Sequence, residues 1–122
     1  MKIRISGNSL RLRMSQNEVN EFVSYGHVTS ACNFPDSVLK YEIRHGDYPD
    51  ISAAFSQGTV SIYMPSGLVK NWDTDDRVGF DASDANGLFI LIEKDFQCLK
   101  PRPHEDESDL FPNPSASLDT YD

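Results

Sequence analysis

The sequence predicts a mainly β fold with two short helices, built as a duplicated ββαββ unit. Three observations predict it. Leu10, Leu12 and Met14 alternate with Arg11 and Arg13, the period of a half-buried strand. That strand runs into Ser15 and Glu18, a capping-box pair three residues apart that opens a helical stripe of Val19, Phe22 and Val23. Fifty residues later Gly58 to Trp72 has the same layout, and Leu10, Leu12, Met14, Val19, Phe22 and Val28 fall in step with Val60, Ile62, Met64, Val69, Trp72 and Val78.

Taken in order, Lys2 to Ser6 alternates Ile3 and Ile5 with Lys2 and Arg4, and Gly7-Asn8 supplies the turn of a first hairpin. A helix from about Gln16 stops at Tyr25-Gly26, where the glycine suits a C-terminal cap. Val28 to Phe34 is a weak strand, Pro35-Asp36 a turn, and Val38 to Arg44 a strand alternating Leu39, Tyr41 and Ile43 with polar or charged neighbours. His45 to Asp50 has loop composition. The second unit predicts strands at Ile51 to Ser56 and Thr59 to Met64 and a helix over Ser66 to Trp72 behind Pro65. A strand from Val78 and another at Leu88 to Glu93 follow; the run LFILI, apolar on both faces, is expected to be the most buried.

The domain reading is one domain over 1–100, made of repeats 1–50 and 51–100, followed by an acidic, proline-rich tail over 101–122. The formal net charge is -8, and its distribution is uneven. The first fifty residues hold six Lys/Arg and six Asp/Glu, the next fifty four and seven, and the tail one and six. An acidic chain repels phosphate backbones and favours basic partners, although a local patch overrides the mean. Two cysteines are too few for a disulfide scaffold, and there is neither a signal-peptide core nor an apolar run of the ~20 residues that span a bilayer. A cytoplasmic, soluble setting without membrane association is the expectation.

The residues that open each unit, Gly7-Asn8-Ser9-Leu10 with Leu12, Met14 and Glu18-Val19, then Gly58, Val60, Ile62, Met64-Pro65, Leu68, Asp76 and Val78, resemble the swapped-hairpin domain of AbrB and of MazE-type antitoxins. The resemblance implies a swapped-hairpin β-barrel in which one chain supplies both copies of a normally dimeric arrangement, so that a monomer is a pseudo-dimer. The chain as a whole is also similar to a set of small uncharacterised bacterial proteins sharing its opening MKIRI and its acidic end. In the antitoxin-like family, basic side chains on the first hairpin face DNA, a role that Lys2, Arg4, Arg11 and Arg13 fit here. Their counterparts Ser52, Ala54, Ser61 and Tyr63 carry no charge, and Ser15 stands where the family usually has the proline that Pro65 supplies in the second unit. The same family lays an acidic arm along a basic toxin, which implies partner binding by Glu105, Asp106, Glu107 and Asp109 with the apolar anchors Leu110 and Phe111.

Each candidate has a plain structural alternative. Alternating cations suit any exposed strand and deter edge aggregation, and acidic tails are solubilising. Cys98 and His104, with the neighbouring carboxylates, are metal-ligand types, but their spacing matches no zinc or EF-hand pattern. His27 and His45 read as surface histidines near strand ends, and Trp72 and Phe22 as core residues where helix meets sheet. With no phosphate loop, serine elbow or paired-carboxylate motif, the sequence calls for no cofactor and disfavours an enzyme. The expected function is a non-enzymatic binding protein that engages a basic protein partner through its tail. A DNA-binding regulator is the alternative, and a metal-binding protein using the 98–109 segment a further one.

Overall fold

Alternation and turn chemistry produce the expected hairpins in a computed structural model that describes residues 1–97 and 106–114. The strands are β1 (Lys2–Ser6), β2 (Ser9–Met14), β3 (His27–Asn33), β4 (Val38–Gly46), β5 (Ser52–Ser56), β6 (Thr59–Pro65), β7 (Gly79–Ser83) and β8 (Phe89–Lys94). Helix α1 (Gln16–Tyr25) lies between β2 and β3, and α2 (Ser66–Val69) between β6 and β7.

Each half is therefore a ββαββ unit, and the two units interlock. One four-stranded sheet has the order β1-β2-β8-β7, the other β3-β4-β6-β5. Each contains one hairpin from either half, joined by a central parallel pair: Leu12 lies beside Ile92, and Ile43 beside Ile62. No ladder joins one sheet to the other among the described residues. A parallel pair cannot be closed by a tight turn; β4 reaches β6 by way of β5, and β2 reaches β8 by way of all the elements between them.

The core lies between the sheets and draws on both halves. Leu12, Met14, Val19 and Phe22 are fully buried, as are their counterparts Ile62, Met64, Val69 and Trp72. Ile5 and Phe55 also occupy matching register positions, opposite Leu10 and Val60, and both are exposed. The fixed offset of fifty residues holds through the helices and then fails. Val28 faces Ile43 as Phe80 faces Ile92, so the counterpart of Val28 is Phe80 rather than Val78, which lies outside β7.

Local chemistry explains the two helix lengths. Ser15 accepts from the Glu18 amide while the Glu18 carboxylate accepts from the Ser15 amide, and Gly26 closes α1 at φ +92° with its N–H donating to Phe22 O. Helix α2 ends at Val69, short of the expected Trp72, because Lys70 leaves the helical region at ψ 126° and Asn71 follows in the left-handed one. Arg77 then donates to the carbonyls of Leu68 and Lys70. Strand β8 corrects a further expectation. Ile90 and Ile92 are buried, but Phe89 and Leu91 face outward with Glu93. The strand buried on both faces is β6, where Val60, Ser61, Ile62 and Met64 are all covered.

Candidate functional site

Antiparallel pairing puts Lys2 beside Arg13 and Arg4 beside Arg11 on the outer face of β1 and β2. With Ile3 these four cations line a shallow depression of about 200 Å³. The neighbouring β8 edge partly neutralises it. Glu93 accepts from both Arg11 and Arg13, and Lys2 pairs with the buried Asp95 carboxylate at 2.9 Å. Sequence reading finds the cations but not these carboxylates, because Glu93 and Asp95 lie some eighty residues away and reach the face only through the parallel β2–β8 ladder.

The described part of the tail is docked against the body. Gln16 donates from its amide to Asp109 O and from its side chain to Leu110 O, both at 2.9 Å. The Asp109 carboxylate accepts from Asn17 N, a stabilising place for negative charge at the start of α1. Phe111 forms a parallel bridge with Phe96: its N–H donates to Asp95 O, and Gln97 N–H donates to Phe111 O. Leu110 is buried, and Phe111 packs on the core. The two expected apolar anchors are thus used within the chain itself. Asp106 is exposed, its carboxyl held below the ordinary range by the Ser108 amide and hydroxyl. Glu105, Cys98 and His104 lie outside the described residues.

Beneath Phe111 sits a residue that sequence reading missed. Lys94, one residue past the expected strand end at Glu93, is buried with its amine donating to Asp75 O at 2.7 Å and lying over the rings of Trp72 and Phe111, 5.8 and 5.1 Å from their centroids. Burial pushes its amine below the usual lysine value, opposed by the nearby Asp75 charge. An aromatic roof compensates a desolvated ammonium. The only sequence signal was a lysine in phase with Ile90 and Ile92.

His45 holds the matching position in the other sheet. It belongs to β4 rather than to the expected loop, with its ring edge-on to Phe22 at 5.1 Å and Nδ1 sharing a hydrogen bond with Ser66 Oγ at 2.8 Å. Its Nε2 is buried and has no hydrogen-bond partner among the described residues.

Among the described residues no group of three or more His, Cys, Asp or Glu side chains converges as a metal would need. Cys32 is an exposed free thiol. A depression of about 790 Å³ between the start of α2 and β7 contains Asp50, Asp81 and Asp84. Asp84 is committed to its turn, accepting from the amides of Asn86 and Leu88. No helix among the described residues is long and apolar enough to cross a membrane.

A model of a protein family described as a family of unknown function, DUF7009, matches residues 1–115. The matched span takes in both ββαββ units and the docked tail segment. No curated protein and no solved structure matches the chain.

Proposed function

We propose, for a chain that belongs to the DUF7009 family of unknown function, the role of a non-enzymatic binding protein of AbrB/MazE-like build that engages a basic protein partner. The observation that supports this reading is the interlock: each sheet is completed by a hairpin from the other half, an arrangement consistent with one chain standing for two swapped-hairpin subunits. The formal charge of -8 supports a basic partner, since complementary charge speeds encounter and selects against acidic competitors. Glu105, Asp106 and Glu107 are the carboxylates assigned to that contact, whereas Asp109, Leu110 and Phe111 fasten the tail to the body just after the acidic run.

The test is a capture experiment with the full chain at low and high salt, beside the variant Glu105→Gln, Asp106→Asn, Glu107→Gln. A basic partner retained at low salt, released by salt and lost with the variant is the expected result. Retention indifferent to both changes overturns the reading.

The clustering of Lys2, Arg4, Arg11 and Arg13 around one depression supports DNA binding as a second reading. Glu93 and Asp95 oppose it by occupying three of the four cations. A mobility shift with duplex DNA at low salt separates the two, because phosphate contacts weaken steeply as salt rises. A shift abolished by Arg4→Ala with Arg11→Ala would install DNA as the ligand.

A further inference from the structure

The two halves present the same groove twice, and among the described residues only one copy is filled by the chain. In β8, Lys94 lies beside Met14; in β4, His45 lies beside Met64. Each sits under the aromatic side chain of its helix pair, Lys94 near Trp72 and His45 against Phe22. On the Lys94 side the groove runs between the residue after β2, Gln16, and the stretch after β8, Asp95 to Gln97. The segment Asp109 to Phe111 lies in it, held on one edge by Gln16 and on the other by the Phe96 bridge, with the Phe111 ring over Lys94.

On the His45 side the corresponding walls are Ser66 and Gly67 after β6 and the stretch after β4. There a cavity of about 460 Å³ remains, lined by Val23, His45, Ser66, Gly67, Val69 and Lys70. The polar accounts differ in the same sense: the Lys94 amine is satisfied by Asp75 O, whereas His45 retains a buried nitrogen without a partner among the described residues. Charge also favours an occupant like the tail. Lys70 stands at the mouth of this cavity where the first half has the neutral Asn20, so a carboxylate entering here meets a cation.

We propose that the cavity at His45 receives an extended peptide segment from a partner protein, with a carboxylate followed by two large apolar side chains, in the manner in which Asp109-Leu110-Phe111 fills its twin. The apolar pair lies against Val23 and Val69 above the His45 ring, and the carboxylate faces Lys70. Short extended segments bind such grooves through main-chain contacts, with side-chain pockets setting specificity.

The test uses the full chain, isotopically labelled, and a synthetic peptide of residues 105–113 as the probe. Saturable shifts at the amides of Val23, Ser66, Gly67 and Val69 are expected, with Gln16 and Gln97 unmoved because the chain's own tail stays in place. A peptide with both apolar residues replaced by alanine gives no such shifts, and Lys70→Glu weakens binding several-fold. Gly67→Trp plugs the cavity; a Cβ at Gly67 meets nothing within 4 Å, so the variant is expected to keep the parent melting temperature while losing the shifts. The proposal is overturned if the peptide moves only Gln16 and Gln97, if Gly67→Trp folds and still binds, or if nothing moves at peptide concentrations of about 1 mM, where a contact worth ~4 kcal/mol half-saturates.

Discussion

Single side chains settle questions that the repeat leaves open, and Arg77 is the clearest. Its guanidinium donates to the carbonyls of Leu68 and Lys70 and to the Asp75 carboxylate, and it lies 5.2 Å from the Phe80 ring centroid. It thus supplies acceptors at the end of α2 with donors that a four-residue helix cannot provide. Arg77→Ala is expected to lower unfolding free energy by about 2 kcal/mol, in the range of hydrogen bonds to charged groups, and Arg77→Lys to recover little of it because one ammonium cannot span the three acceptors. Urea denaturation of the three proteins checks this.

Glu42 gives a pH dependence with a definite sign. The hydrogen bond from Arg44 holds its carboxyl below the ordinary value of 4.5, against the opposing effect of burial and with further help from the Arg44 charge and the Ser61 hydroxyl. A carboxyl depressed in the folded state stabilises fully above its unfolded value, and that contribution is lost as pH falls through the folded one. Glu42→Gln is therefore expected to cost about 0.5–1 kcal/mol at neutral pH, the range of an exposed pair, and nothing well below pH 4. Melts of both proteins across the acid limb measure the convergence.

At the scale of elements, the hairpins and α1 were legible because their causes are local. Alternation set β1, β2 and β4, and Ser15, Glu18 and Gly26 bounded α1. The second half was less legible where contacts override pattern. Phe89 and Leu91 are apolar yet outward, since the register beside β2 turns Ile90 and Ile92 inward. Gly79 shows how closely that ladder is packed: a Cβ there would lie 2.1 Å from Ile92 O and 2.8 Å from Glu93 Cα. Backbone cannot yield as a side-chain tip does, so Gly79→Ala is expected to cost about 3 kcal/mol, the upper end of overpacking. Gly67→Ala, which meets open space, serves as the control with little change in thermal midpoint.

At the scale of the whole molecule, the interlock makes neither half a folding unit. A fragment of 1–48 would have one hairpin in each sheet and no central parallel partner for β2 or β4. We expect fragments 1–48 and 49–122 to be unfolded alone by circular dichroism and to form a folded one-to-one complex when mixed or co-expressed. A folded isolated fragment would contradict the architecture.

The candidate sites divide along the same line. The basic face was visible as Lys2, Arg4, Arg11 and Arg13 because one hairpin places all four. Its neutralisation by Glu93 and Asp95, the buried Lys94 and the docking of Leu110 and Phe111 all depend on residues far apart in sequence. By itself the sequence determined the strands, the capped helix, the turns and the existence of two similar units, because periodicity and capping act within a few residues of each other. Tertiary structure alone decided which hairpin joins which sheet, that β6 and not β8 is covered on both faces, and that the described part of the tail fills the groove beside Lys94. Those outcomes are set by where apolar surface is finally buried, and that depends on contacts the chain makes only after its distant segments meet.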